Sequence, residues 1–254
     1  MQVESRPAIA ASWRRSALAG LSRETSGLAD IGEVNLTTAL VRAAHPVLHA
    51  LGDQLGDSPV CLMLADRDGH VVFQAAGDRR LRTALEDQAI VVGSRLGEDL
   101  RGTNGLGTPL EAGSPVAISG AEHYLHAYGR FSCYGSPIRH PLTRRIEGAM
   151  DLTIPAEEPN PLFRPLVMRA VRDIEARLLD SARPADRRLF LAFEEATRRR
   201  SAPVAVLDAD TVLMNRGFSA HLGTAGPEVL RTLLPATAAE GTIVRRLDLG
   251  TGTP

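Results

Sequence analysis

Apolar residues recur at helical spacing in the first part of the chain and then give way to short apolar runs. Ile9, Trp13 and Ala17 fall at i, i+4 and i+8, which predicts a helix over Pro7–Leu18 ended by Gly20. Leu40, Ala44, Leu48, Leu51 and Leu55 stay in register along Leu36–Leu55, where Pro46 either kinks the helix or starts a second one. The period then changes. Val60–Ala65 reads as a buried strand, Asp68-Gly69 as a hairpin turn and His70–Ala75 as the returning strand. Val116–Ser119, Tyr134–Arg139 and Ile146–Ile154 read as three further strands. Leu162–Leu179 is the clearest amphipathic helix, with Phe163, Leu166, Val167, Ala170, Ile174 and Leu178 on one face. This order predicts an α+β fold, an antiparallel sheet with helices against one face.

A second unit begins near Pro184. Leu189, Phe190, Phe193 and Ala196 mark a helix over Ala185–Arg200, and Pro203 breaks it. Val204–Leu207, the turn Asp208-Ala209-Asp210 and Thr211–Met214 read as strand, turn and strand, and Ile243–Leu249 as another strand. So short a stretch makes a small core. It reads as the start of a domain whose remainder lies beyond Pro254. The resulting division is an N-terminal helical region (1–57), a sheet domain (58–182), a linker helix (183–202) and a partial domain (203–254).

Composition narrows the functions. The 254 residues carry a net charge of -1, with 44% hydrophobic and 23% charged residues, as expected of a soluble protein with a packed core. No run approaches the roughly 18 apolar residues of a membrane span. The N-terminus lacks the apolar region of a signal peptide. Two cysteines, Cys61 and Cys133, make no disulfide framework, so the expected location is the cytoplasm. All 29 basic residues are arginine. Without lysine there is no Walker A loop, no Schiff base and no Ser–Lys pair. The near-zero net charge gives no overall footprint for nucleic acid. The clusters Arg144-Arg145, Arg198–Arg200 and Arg245-Arg246 read as solvated faces.

Candidate chemistry concentrates in the run Arg101–Pro115, RGTNGLGTPLEAGSP, and in the GAEHY that follows at Gly120–Tyr124. Gly102, Gly105 and Gly107 permit left-handed backbone or close approach, and the run is longer than the usual connection of about 4–6 residues. Thr103 and Asn104 are candidate ligand contacts, the alternative being that they cap backbone groups of the loop. Glu122, His123 and His126 suggest metal ligands, but no second Cys/His cluster completes a set. A hydrogen-bonded Glu122–His123 pair bordering a pocket is the preferred reading. Cys133 is a candidate ligand contact or a buried small hydrophobe, and Cys61 belongs to the core. Strand alternation puts Met150 and Leu152 on one face and Ala149, Asp151 and Thr153 on the other. If that face carries a pocket, Asp151 is a candidate acceptor; otherwise it is a hydrogen-bonded structural carboxylate. No catalytic residue, metal or cofactor is assigned.

The order Ser12-Trp13-Arg14, Gly102–Thr108 (GTNGLGT), Pro115-Val116, Gly120–Tyr124, Cys133, Pro137-Ile138, Pro141 and Gly148–Thr153 (GAMDLT) resembles the N-terminal sensory region of AcoR/DhaR-like bacterial transcription regulators. The resemblance runs from about Arg6 to Leu179. It implies a GAF-like domain holding a small-molecule effector between its sheet and the covering loops, in a homodimer. The stretch from Pro203 resembles the beginning of a PAS domain. In that family a Fis-type helix-turn-helix follows, often after an AAA+ ATPase that works with sigma-54 polymerase. DNA and RNA polymerase would be reached only through such domains, neither of which is recognisable in these residues. The alternative is a GAF-type redox enzyme such as a free methionine sulfoxide reductase, which needs reactive cysteines at a pocket. The NKxxFDE-type motif of cyclic-nucleotide-binding GAF domains is absent.

Overall fold

Pro7 opens the first helix, α1 (Pro7–Leu18), where its fixed φ suits the helix and its missing N–H leaves no bond unmade. The computed structural model describes residues 6–25, 30–157, 160–182, 184–198, 202–207 and 212–222. These divide between two units, Met1–Ser181 and Ala182–Pro254. Thr38 caps α2 (Ala39–Leu55) by accepting from the Val41 amide at 3.2 Å. Pro46 neither breaks nor restarts this helix. It lies with Arg42 on the exposed side, so the Arg42 carbonyl that it leaves without a donor faces water.

Strands β1 (Cys61–Asp66) and β2 (Val71–Ala76) form the expected hairpin. Its turn is held by Asp66, whose carboxylate accepts from the amides of Asp68 and His70. Three short helices follow: α3 (Arg79–Glu86), α4 (Glu98–Arg101) and α5 (Gly107–Ala112). Then come β3 (Val116–Ser119), β4 (Phe131–Arg139), β5 (Ile146–Pro155) and the long helix α6 (Phe163–Asp180). The five strands form one antiparallel sheet in the order β2-β1-β5-β4-β3.

The pleat sorts this sheet into two unlike faces. Leu62, Leu64, Ile138, Met150, Leu152 and Ile154 pack beneath α2 and α6, which contribute Leu48, Leu51, Val171 and Ile174. The opposite face is also covered, contrary to the one-sided arrangement expected. There Cys61, Met63, Ala149 and Phe131 of the sheet meet Leu81, Leu85, Leu96, Leu106 and Tyr128 from the short helices and loops. α3 escapes the sequence pattern because only Leu81 and Leu85 of its eight residues are buried amid charges, with Asp78 as N-cap. β4 starts three residues before its predicted beginning, since Phe131 to Cys133 keep pairing with Pro155 to Thr153.

The second unit holds α7 (Pro184–Arg198), the antiparallel pair β6 (Ala205–Leu207) and β7 (Val212–Met214), and α8 (Arg216–Leu222). Asn215 organises it: its Oδ1 accepts from the amides of Val204 and Phe218, and its Nδ2 donates to the Ala202 carbonyl. The turn Asp208–Asp210 and the strand expected over Ile243–Leu249 lie outside the described residues.

Two glycines seat the covering loop on the sheet. A Cβ on Gly135 of β4 would stand 1.9 Å from the Gly105 carbonyl oxygen, and one on Gly105 would stand 2.2 Å from Asp151 Oδ1 of β5. Gly105→Ala and Gly135→Ala are each expected to destabilise the fold by about 1–3 kcal/mol in urea denaturation. Gly32→Ala, where a Cβ meets nothing within 4 Å, is expected to be near neutral.

Candidate functional site

The loop from Gly102 to Thr108 is a self-tied lid. Asn104 donates from Nδ2 to the carbonyls of Leu96 and Gly102, both at 2.8 Å, and accepts at Oδ1 from the amides of Leu106 (3.0 Å) and Gly107 (2.8 Å). Its own amide donates to Thr108 Oγ1 at 3.0 Å. Every polar position of this side chain is thereby occupied inside the lid. Thr103 is fully buried, with its hydroxyl 2.6 Å from Ser12 Oγ on α1.

That contact belongs to a clamp between α1 and the lid. Glu98, only 2% exposed, accepts from Ser12 Oγ at 2.5 Å and from Arg15 Nε at 2.6 Å, with Arg15 Nη2 at 3.1 Å. Ser12 and Arg15 sit three apart on α1, hence on one helical face. Trp13, between them, donates from Nε1 to the Glu122 carbonyl at 2.8 Å, and Arg23 stacks 4.2 Å over its ring. The Glu122 carboxylate faces outward, where it pairs with Arg6 at 2.6 Å and accepts from the Ser119 amide at 2.9 Å.

The expected Glu122–His123 pair is therefore corrected: successive residues diverge here, one to the rim and one to the interior. His126, weighed with them as a ligand, pairs with Glu24 at 2.9 Å instead. His123 is 2% exposed, and burial pushes its ring down to about 4, so it is neutral at physiological pH. Its Nδ1 donates to the Gly120 carbonyl at 3.0 Å, which leaves Nε2 as an acceptor 3.4 Å from Cys133 Sγ.

From Cys133 a buried polar chain crosses two strands. The register aligns Cys61, Thr153, Cys133 and Ile118 in one row and Met63, Asp151 and Gly135 in the next. Cys133 Sγ lies 3.3 Å from Thr153 Oγ1, and that hydroxyl donates to Asp151 Oδ2 at 2.5 Å. Asp151 is 1% exposed, shares a face with Ala149 and Thr153 as the alternation predicts, and faces Gly105 of the lid, and its Oδ1 has no hydrogen-bond partner among the described residues. Burial pushes its carboxyl up to about 6, with the Thr153 hydroxyl, the Cys133 thiol and the Tyr134 and Leu152 backbone pulling the other way. Burial also pushes both thiols up, Cys61 to about 12 and Cys133 well above the usual range, so neither is the thiolate that sulfur redox chemistry requires.

His123, Cys133 and Asp151 thus meet on one interior face, with Thr103 and Asn104 in the lid above and Glu122 at the rim. Neither of the two main surface cavities, about 570 and 350 Å³, is lined by any of these six. Arg15, Glu98 and Tyr128 stand outside every motif singled out in the sequence, and nothing there shows the contacts of Ser12 or Arg101. Arg101 is 1% exposed and, among the described residues, donates only to neutral groups, the carbonyls of Gln88 and Ala89 and the Tyr128 hydroxyl. Nothing local marks an arginine as buried. The i, i+3 spacing of Ser12 and Arg15 was a readable signal, but their partner lies more than eighty residues away.

Two measurements probe this interior. Arg15→Ala strips the ion partner from a buried carboxylate and is expected to cost about 1–3 kcal/mol in chemical denaturation, with Glu98→Gln recovering part of the loss in the Arg15→Ala background. The second uses pH. Asp151 holds its proton more tightly folded than unfolded, so its contribution weakens the fold as pH rises through about 4 to 6. His123 is neutral when folded and protonated when unfolded between about pH 4 and 6.5, so its contribution strengthens the fold as pH rises. The two oppose one another. Relative to the parent, Asp151→Asn is expected to gain stability more steeply with pH across this window, and His123→Asn to lose it.

Known proteins agree with the fold and supply the lineage. The model of the MimR N-terminal domain matches residues 3–176. The propane 2-monooxygenase operon transcriptional activator MimR of Mycolicibacterium goodii is 36% identical over 224 residues, 88% of this chain and 38% of the relative. The acetoin dehydrogenase operon transcriptional activator AcoR of Bacillus subtilis is 30% identical over 152 residues, 60% of this chain and 25% of the relative. The chain thus spans well under half the length of these regulators. In the crystal structure of the E. coli DhaR(N)–DhaL complex, one chain aligns with a TM-score of 0.65 over 94% of this chain and 81% of its own length, at 20% identity, which speaks to fold. The chain belongs to the MimR N-terminal domain family, whose relatives include activators of catabolic operons.

Proposed function

We propose that this chain is the ligand-sensing and dimerising region of a cytoplasmic bacterial transcription regulator that controls the catabolism of a small metabolite. The observation that carries this reading is the Asp151 oxygen left without a partner, fully buried beneath a lid built of glycines. A buried carboxylate oxygen without a donor costs roughly 1–3 kcal/mol or more, a debt that a bound molecule offering a donor removes. The effector enters by displacing Gly102–Thr108 and is bordered by His123, Cys133 and Asp151. Thr103 and Asn104 re-form the lid over it, and Glu122 holds the rim.

Because Thr103 bonds Ser12 and Glu122 carries Trp13, lid movement transmits to α1. Any shift in regulator state requires that the effector bind one lid arrangement better than the other. In this reading 1–57 and 58–182 form the GAF-like sensor, 183–202 the linker helix and 203–254 the beginning of a PAS-like domain. The dimer forms through α1 and α6, and DNA and RNA polymerase are engaged only through parts of the protein beyond this chain.

A thermal-shift screen of small metabolites, beginning with acetoin, glycerol and dihydroxyacetone, tests the reading. One is expected to stabilise the chain by about 2.7 kcal/mol at a hundredfold excess over its Kd. Asp151→Asn is expected to abolish that response while remaining folded. An effector that stabilises parent and variant equally places the sensing site elsewhere. Light scattering is expected to give the mass of two chains.

A further inference from the structure

The 350 Å³ cavity lies at the β3 edge of the sheet, and one of its lining residues, Gly135, also seats the lid's Gly105. Its walls come from four elements: the start of α1, the entry to β3, the middle of β4 and the first turns of α6. Its volume falls within the usual range for small-molecule sites, about 300–1,000 Å³.

Its lining has a definite chemical character. Ile9, Val116 and Val167, all buried, supply an apolar floor, extended by Met168. Arg6 and Arg164 are among its lining residues, and no acidic residue is. Arg6 is committed to Glu122 and to the Ala117 carbonyl. Arg164 is exposed and, among the described residues, makes no ion pair. Ser136, 2% exposed, has for its hydroxyl only a long 3.4 Å contact to the adjacent Pro137 carbonyl. An apolar floor with an exposed cation and an underused buried hydroxyl matches an amphiphilic anion.

We propose that this cavity is a second small-molecule site and that it takes a monocarboxylate with a short apolar body. The carboxylate meets Arg164 and the body lies over Ile9, Val116 and Val167. Such a ligand bridges α1, which clamps the lid through Ser12 and Arg15, and α6 on the far side of the sheet. This inference does not rest on the effector site beneath the lid.

The probes are hexanoate and its neutral counterparts hexanamide and hexanol, titrated into the 254-residue chain by calorimetry. Hexanoate is expected to bind and the neutral compounds to bind at least about tenfold more weakly, the loss of one charge-assisted contact. Arg164→Glu changes an exposed residue and is expected to weaken hexanoate by about tenfold or more without lowering the ligand-free melting temperature. Ala8→Trp, which fills the cavity from the exposed first turn of α1, is expected to exclude all three. Asp151→Asn is expected to bind hexanoate like the parent, which separates this site from the lid site. Equal binding of hexanoate and hexanamide, hexanoate binding unaffected by Arg164→Glu, or no binding of hexanoate overturns the proposal.

Discussion

A carboxylate sealed from water must be paired, and the pairing of Glu98 fixes how this domain is assembled. Burying such a charge alone costs several kcal/mol, so the fold supplies two donors from one face of α1. Ser12 extends the same contact to Thr103, and Trp13 anchors the Glu122 carbonyl one residue before His123. The N-terminal helix therefore serves as the brace of the lid. Its donors hold the lid through Glu98 and Thr103, while the Gly105–Gly135 contact seats the lid on the sheet.

The two faces of the sheet divide the labour. Beneath α2 and α6 the packing is apolar. Beneath the lid a line of polar groups runs from His123 to Asp151 within an otherwise apolar setting. Two titratable members with opposite pH responses share that interior. Their opposition leaves stability changing little with pH over the acidic range, although each group is costly to bury. A partly satisfied polar network in a core is a poor choice for stability alone.

The regular elements were legible because their periods are strong. α1, the long amphipathic helix α6 and the β1–β2 hairpin appear within a residue or two of their expected bounds. The face of Asp151 followed from alternation within Ala149–Thr153. α3 stayed hidden because two leucines among charges make no visible stripe, and Pro46 looked like a break because a sequence does not show which side of a helix meets water. The short start assigned to β4 has a similar cause, since Ser132 and Cys133 look unlike strand residues until their partners on β5 are known. At the site, Glu122 and His123 looked like a pair by adjacency, yet neighbouring side chains leaving a 3-10 turn point apart.

The sequence by itself determined the lineage, the α+β class, and the concentration of chemistry in the glycine-rich run and GAEHY. These are properties of local pattern, and local pattern is all that periodicity and motif order can report. The tertiary structure alone decided that Glu98 is buried and clamped by α1, that Asn104 is spent inside the lid, and that Cys133, Thr153 and Asp151 line up across two strands. Those outcomes depend on strand register and on residues far apart in the chain. Burial, which turns an ordinary carboxylate, imidazole or thiol into an unusual one, is set by everything packed around it.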